Sequence, residues 1–434
     1  MNGGFVIGFG NNQDGIFGVN PTKPVTFHKD FVSIHSSFAV DVSRVSLGND
    51  HCFFISKDNK IYFTGVNKHG QFGSVSHSKA DKLTLFSNSL LKIQNAEAHL
   101  EHSVFWNDKG EIFTCGKGGL LGHAVDDQKS APTLVAALKD KNIRLYCSGF
   151  RHSMAVDSQN NLYGWGKTEL IGGGQFNKIK KVSTTTREPL YVEAAPFLNW
   201  KILKIACGDD HTLALVENGC VWGWGRGDEY QLGHGVKETR ASPILIEPLK
   251  AFDIVHLSCG SNNSVLVNTN KECYVWGQWG NVIIQKPEII GKALQTPIKH
   301  VEQIHQSQQY NIILTPNQEV YTFGADITVS KQDPWFPLKH KIDDPSLMYK
   351  KITQVAASSS NYYMIVYEGT PIHYSVEGIN YANKELKVNK NLPSLAPQSK
   401  QSQNLNALLS KPTTTTTTTT TSSKYHNDDN DSNL

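Results

Sequence analysis

The chain has 434 residues, 39% hydrophobic and 19% charged. That is long for one ordinary compact domain, but it suits a repeat array in which each unit packs mainly on its neighbours. Lys and Arg number 42 against 39 Asp and Glu, a net charge of +3, so composition calls for neither a nucleic-acid nor an acidic-membrane partner. The first residues lack a charged segment followed by an apolar one, and no run approaches the ~18 apolar residues of a membrane-crossing helix. Neither a signal peptide nor a membrane span is expected.

The first segment, Phe5-Val-Ile-Gly-Phe-Gly10 followed by Gly15-Ile-Phe-Gly18, is the second half of a unit without its first half. Complete units follow, each a His and a Gly 14 residues apart: His51/Gly65, His102/Gly116, His152/Gly166 and His211/Gly225. Asn263/Gly277 and Tyr310/Gly324 keep the spacing without the His, and Asn361/Ser375 is a weak seventh copy. Inside the best copy, an alternating apolar run from Thr212 to Val216 meets Asn218-Gly219 and then a second run, Cys220 to Trp224. Such a pattern predicts an antiparallel hairpin, whose turn fixes the register and hence the spacing. Length varies only between hairpins, where loops and outer strands tolerate insertion. A period of about 50 residues accommodates four short strands, one propeller blade.

The residue before each closing Gly is Thr64, Cys115, Trp165, Trp224, Trp276 or Phe323. Large aromatics at this place are expected to pack between neighbouring blades. The closing Gly is expected to need positive φ or close backbone approach. Gly70-Gln-Phe-Gly73, Gly119-Leu-Leu-Gly122 and Tyr230-Gln-Leu-Gly233 follow as closures. These residues resemble the regulator of chromosome condensation repeat family, whose repeat ends in Trp-Gly and then Gly-Gln-Leu-Gly, with Gly-x-x-His-Thr upstream. The match covers roughly residues 4–374 and implies an all-β, seven-bladed β-propeller; the unit length alone would also admit a kelch propeller. The half-units at the two ends predict that the first strand, Val6 to Phe9, pairs with the last, around Val355 to Val366, in one closing blade. The alternative is a strand of its own at Ile372 to Tyr374. The propeller is expected over residues 1–376. Residues 377–434 form a low-complexity tail rich in Asn, Thr and Ser, with nine threonines at 413–421, and are expected to be disordered.

His51, His102, His152 and His211 occupy one equivalent place in four blades, so they lie around a ring rather than converging on a metal. Each imidazole is expected to bond backbone groups at its own turn. These histidines are read as structural repeat residues, with Gly65, Gly116, Trp165, Gly166, Trp224, Gly225, Trp276, Gly277 and Gly324. Gly164-Trp-Gly166-Lys167-Thr168 lacks the first Gly of a phosphate-binding loop, since Asn161 stands there. Gly149-Phe-Arg-His152-Ser is similar to an element of the plant ultraviolet-B photoreceptor branch, with Phe150 in place of its Trp; photoreception is not expected. No catalytic group, metal or cofactor site is expected. The seven cysteines include no Cys-x-x-Cys; they read as reduced thiols of a cytoplasmic or nuclear protein, not a secreted one.

The longest gap between hairpins, from Gly166 to His211, holds a polar, basic insertion at 172–187 with Lys178, Lys180, Lys181 and Arg187. These four are the candidate partner-binding residues. The function expected is a protein-interaction scaffold, acting as a monomer on another protein. The alternative implied by the resemblance is guanine-nucleotide exchange on a Ran-like small GTPase, whose exchange factor uses a wedge from its third blade. A third class is a substrate-recruiting module acting in trans with a ubiquitin ligase.

Overall fold

The computed structural model describes residues 5–368 except 19–26, 35–39, 88–90, 126, 175–183, 194, 250–252, 309, 325–336, 341, 343–349 and 361. The expected tail and the strand at Ile372 to Tyr374 lie outside the described residues. Among those described, the strands form seven four-stranded antiparallel sheets, the blades of a propeller ring. Blade 1 is built from Val42–Leu47, His51–Ser56, Ile61–Val66 and Lys79–Leu85, running from the central channel outward. Blades 2 to 6 repeat this order and begin at Ile93, Ile143, Ile202, Ile254 and Gln303.

Blade 7 takes its two inner strands, Ile352–Ala357 and Tyr362–Tyr367, from one end of the ring and its two outer strands, Phe5–Asn11 and Phe27–Ser33, from the other. The register runs from Phe5 opposite Tyr367 to Gly10 opposite Tyr362. Phe5 stacks on Tyr367 at 5.0 Å and Phe9 on Tyr363 at 4.8 Å. The expected closure is therefore present. Tyr362 stands opposite Gly10 as a His/Gly-type pair of blade 7, while Asn361 and Ser375 lie outside the described residues. The hairpin partner comes from the other end of the sequence, where no local spacing can reveal it.

All six complete pairs face each other in the hairpins, from His51 opposite Gly65 to Tyr310 opposite Gly324. Every residue of His211–Val216 is buried, not every other one. Each blade is sandwiched between two others, so both faces of its second strand are covered. The cores accordingly lie between blades: Leu213, Leu257, Trp276, Ile313 and Phe323 belong to one cluster spanning blades 4 to 6. Trp224 is wholly buried, 5.9 Å from Phe197 and nearly parallel to it.

Each first strand is an edge facing the channel, and in blades 1 and 7 a glutamine side chain of the neighbouring blade completes part of its ladder. Gln354 accepts from Val45 N–H and donates to Val45 O, both at 2.9 Å. Gln303 does the same for Val355 N–H and Thr353 O. These bonds satisfy an edge that would otherwise carry open backbone donors and acceptors.

Removing residues 1–10 takes the buried Phe5, Val6, Ile7 and Phe9 out of blade 7 and opens the edge of Tyr362–Tyr367. Burial of each such side chain contributes about 1.5–3 kcal/mol. The truncated chain is expected to melt at least ~10 °C lower by circular dichroism; an unchanged melting temperature would rule this closure out. Trp224→Ala is expected to cost about 3–5 kcal/mol in urea unfolding, and a loss below ~1 kcal/mol would contradict its place between blades.

Candidate protein-docking face

The hairpins end on one face of the ring, where first strands turn into second strands and third into fourth. The turn before each His is tight. Gly48, Gly149 and Gly208 N–H groups donate to the carbonyls of His51, His152 and His211 at 2.8–2.9 Å. The closing Gly needs both of the expected features. Gly225 has φ +96°, and a Cβ there would stand 2.4 Å from Asp210 O. The next residue seals the corner, Arg226 N–H donating to Asp210 O at 2.8 Å.

The imidazoles reach into the next blade rather than to their own turn. The Nε2 of His51, His152 and His211 lies 2.8, 2.7 and 2.8 Å from the hydroxyls of Ser103, Thr212 and Ser264. Each of those hydroxyls follows the next blade's His or its equivalent. Ser103 and Ser264 donate in turn to Gln71 O and Gln231 O, in the closure loops. With those protons committed to carbonyls, the imidazole must be the donor, so His51 and His211 carry their proton on Nε2. In blade 2 the pattern bends: His102 Nε2 meets Tyr146 OH at 3.3 Å, and that phenol donates to Ser153 at 3.3 Å. Trp165 and Trp276 Nε1–H donate to Leu120 O and Gln231 O of the preceding closure, both at 2.8 Å. Among the described residues no cluster of His, Cys, Asp and Glu is arranged to hold a metal.

Burial sets the protonation of these rings. His51, His102 and His211 are at most 4% exposed. Burial holds His211 down at about 3, His102 well below 6.5, and His51 below it despite the nearby Asp50 carboxylate. Burial also brings His99 to about 3 and His305 to about 4 beside the channel.

The face carries charges in pairs. Lys117 donates to Glu101 at 2.6 Å, Arg226 to Asp228 at 2.6 Å, and Arg151 reaches both oxygens of Asp210 in blade 4. Lys167 pairs with Glu169. Asp209 is held by Ser261 at 2.5 Å and Gln308 at 3.2 Å, and burial raises its carboxyl above the usual range. The turn at Gly149 holds Phe150 outward, 55% exposed. Its backbone is locked: Phe150 N–H donates to Asp209 O at 3.0 Å, and Gly149 N–H to His152 O. Beside it a cavity of about 650 Å³ opens between blades 2 and 3, lined by Glu101, Lys117, Phe150, Arg151, Lys167 and Thr185.

Thr184 and Thr185, near the end of the insertion at 172–187, line this cavity. The first residues of the insertion belong to the blade: Gly172, φ +82°, packs against Trp224, and Gly174 N–H donates to Ala241 O at 2.9 Å. Gly172 is thus the last glycine of blade 3's closure loop, the counterpart of Gly122 against Trp165 and Gly233 against Trp276. Lys178, Lys180 and Lys181 lie outside the described residues. Arg187 is exposed on the strand Thr185–Tyr191. Sequence reasoning missed the hydroxyl partners, although a Ser or Thr after each full-unit His from His102 onward was a visible signal. It did not single out Phe150 as a contact, because exposure at a turn leaves no pattern.

Seven four-stranded blades with a closing blade shared by both ends define a repeat β-propeller. The chain belongs to the family of RCC1-like domains, whose family model matches residues 5–362. The human E3 ubiquitin-protein ligase HERC2 is 27% identical over 344 residues, 74% of this chain and 7% of that protein. The Arabidopsis thaliana ultraviolet-B receptor UVR8 is 29% identical over 57% of this chain and 54% of the receptor. The human regulator of chromosome condensation is 24% identical over 62% of this chain and 66% of that protein. The chain thus spans a small part of the ligase and about half of the receptor. Among solved structures, Prp20p from Saccharomyces cerevisiae aligns with TM-score 0.69 at 14% identity, covering 86% of this chain and 92% of that one. Human WBSCR16 aligns with TM-score 0.65 at 18% identity, covering 85% and 99%. These structural likenesses carry the fold.

Stability is expected to depend on acid in one direction. The buried imidazoles have folded values of about 3–4 or otherwise below 6.5. Below pH 6.5 the unfolded chain therefore takes up protons that the fold refuses. Stability falls from pH 6.5 towards those values, by about 1.4 kcal/mol per pH unit for each such group. The melting temperature should be level from pH 7.5 to 8.5 and drop steeply from 6.5 to 5. A rise on acidification would contradict neutral buried rings.

Proposed function

We propose that the propeller is a protein-interaction scaffold and that its hairpin-end face between blades 2 and 3 is where a partner protein docks. One observation carries this reading: Phe150 is more than half exposed on a turn locked by backbone hydrogen bonds, beside an open cavity. An aromatic fixed in this way can bury about 150–250 Å² in a partner with little loss of conformational freedom. The ion pairs around it are surface pairs worth about 0–1 kcal/mol each, so Lys117 and Lys167 can exchange partners cheaply. On the same reading, Lys178, Lys180, Lys181 and Arg187 of the insertion supply further partner contacts. The variety of names among the relatives, a ligase, a light receptor and a condensation regulator, supports a scaffold whose partner differs from protein to protein.

Nucleotide exchange is not favoured by these comparisons. The description of Prp20p concerns its binding to Gsp1p and histones, which is a property of that protein. Recruitment in trans to a ubiquitin ligase is one form the scaffold role could take. None of the seven cysteines is in a disulfide, which fits a reducing compartment, cytoplasm or nucleus. No helix among the described residues is long and apolar enough to cross a membrane.

Phe150→Ala is expected to leave the melting temperature unchanged and to lower capture of native partners at least ~10-fold, as loss of a central aromatic contact does. Equal capture by both forms would move the docking face elsewhere. In a fluorescent-nucleotide dissociation assay on a panel of small GTPases, the scaffold reading expects the intrinsic release rate. Strong acceleration with a Ran-like member, slowed by charge reversal of Lys178, Lys180 and Lys181, would establish exchange instead.

A further inference from the structure

The first strands of blades 3 and 4, Ile143–Ser148 and Ile202–Cys207, converge as they turn outward. A Cβ on Gly149 would stand only 2.1 Å from Gly208 O. Cys147 lies two residues before the first of these glycines, and Cys207 immediately before the second. The two thiols act on each other across the seam between the blades, and both residues pack on the same cluster there. Neither is fully buried, and both line the central channel, a cavity of about 380 Å³.

Other thiols of the chain differ in place or access. Cys52, Cys115 and Cys273 are buried away from the channel. Cys259 lines the channel but is buried, its Sγ donating to Ala206 O at 3.6 Å. The half-buried Cys220 sits in the turn between the second and third strands of blade 4 and is not part of the channel lining.

We propose that Cys147 and Cys207 are a redox-active thiol pair in the channel wall, oxidised by hydrogen peroxide to a disulfide that ties blade 3 to blade 4. Cys207 is the attacking sulfur. Burial alone would push its thiol up, but the Cys147 S–H, the His152 imidazole and the Thr212 hydroxyl together hold it below the usual range. Burial, together with the Cys207 sulfur, pushes Cys147 well up, so the first proton leaves Cys207. The Cys207 thiolate attacks one peroxide oxygen, the O–O bond breaks, and the departing hydroxide takes up a proton as water. Cys207 is left as a sulfenic acid. The Cys147 sulfur then attacks the Cys207 sulfur, the S–O bond breaks, and hydroxide leaves with the Cys147 proton as a second water. Two thiols and one peroxide thus yield one disulfide and two waters.

The test uses the full chain at pH 7.5, with and without hydrogen peroxide, followed by alkylation, digestion and mass spectrometry. The expected product is one crosslinked peptide pair containing Cys147 and Cys207, with Cys52, Cys115 and Cys273 labelled only after unfolding. Cys147→Ser should give a Cys207 sulfenic acid trapped by dimedone and no crosslink. A measurement on the unmodified protein needs no variant to fold: native iodoacetamide labelling of Cys207 should run at least ~10-fold faster than that of Cys259. Absence of the Cys147–Cys207 crosslink, a crosslink to another cysteine, or labelling of Cys207 no faster than Cys259 would each overturn the proposal.

Discussion

A hydrogen bond between an imidazole Nε2 and a hydroxyl in the next blade fixes how blade 1 meets blade 2, blade 3 meets blade 4 and blade 4 meets blade 5. His51, His152 and His211 hold it at 2.7–2.8 Å. Two of these hydroxyls, Ser103 and Ser264, reach back to the closure carbonyls, so blades 1 and 4 grip their successors through a short relay. A shift of one residue in any hairpin would carry the ring to the wrong face of its strand and break the relay. The closing glycine prevents that shift, since only a residue without Cβ fits 2.3–2.4 Å from the carbonyl before each of His51, His152 and His211.

What could be read from the sequence was whatever the chain states locally. The separation of His211 and Gly225 lies within one hairpin, so the register was plain, and six such pairs implied the blade. The half-units at the two ends implied ring closure, since Phe5-Val-Ile-Gly-Phe has nowhere else to pair. What stayed hidden was non-local. Tyr362 meets Gly10 across some 350 residues, which no local spacing announces. Ser264 is more than 50 residues from His211, and only the ring brings them together. Cys147 and Cys207 look unrelated in sequence for the same reason. Phe150 sits in a motif that names its neighbour His152, and the exposure that makes it useful is set by the lock on Asp209.

The docking face joins rigidity to freedom. The turns around the channel mouth are held by backbone bonds between blades, and by Asp209 reaching from blade 4 to Ser261 and Gln308. Upon that frame stand an exposed aromatic and lysines in loosely held ion pairs. Partner choice can then change through a few surface residues and the insertion, while the histidine relay beneath remains the same.

The shared closing blade also sets a schedule. Phe5–Asn11 leaves the ribosome ahead of every other strand of the ring, but its partner Tyr362–Tyr367 is made some 350 residues later. At about 5–20 residues per second, that apolar strand waits roughly 20–70 s without its mate. During that interval a chain with Phe5, Val6, Ile7 and Phe9 in sequence is an open template for strand pairing with other nascent chains. The ring is thus tied shut last by the first of its own strands to be made, and one short apolar strand must be sheltered while the other six blades are synthesised.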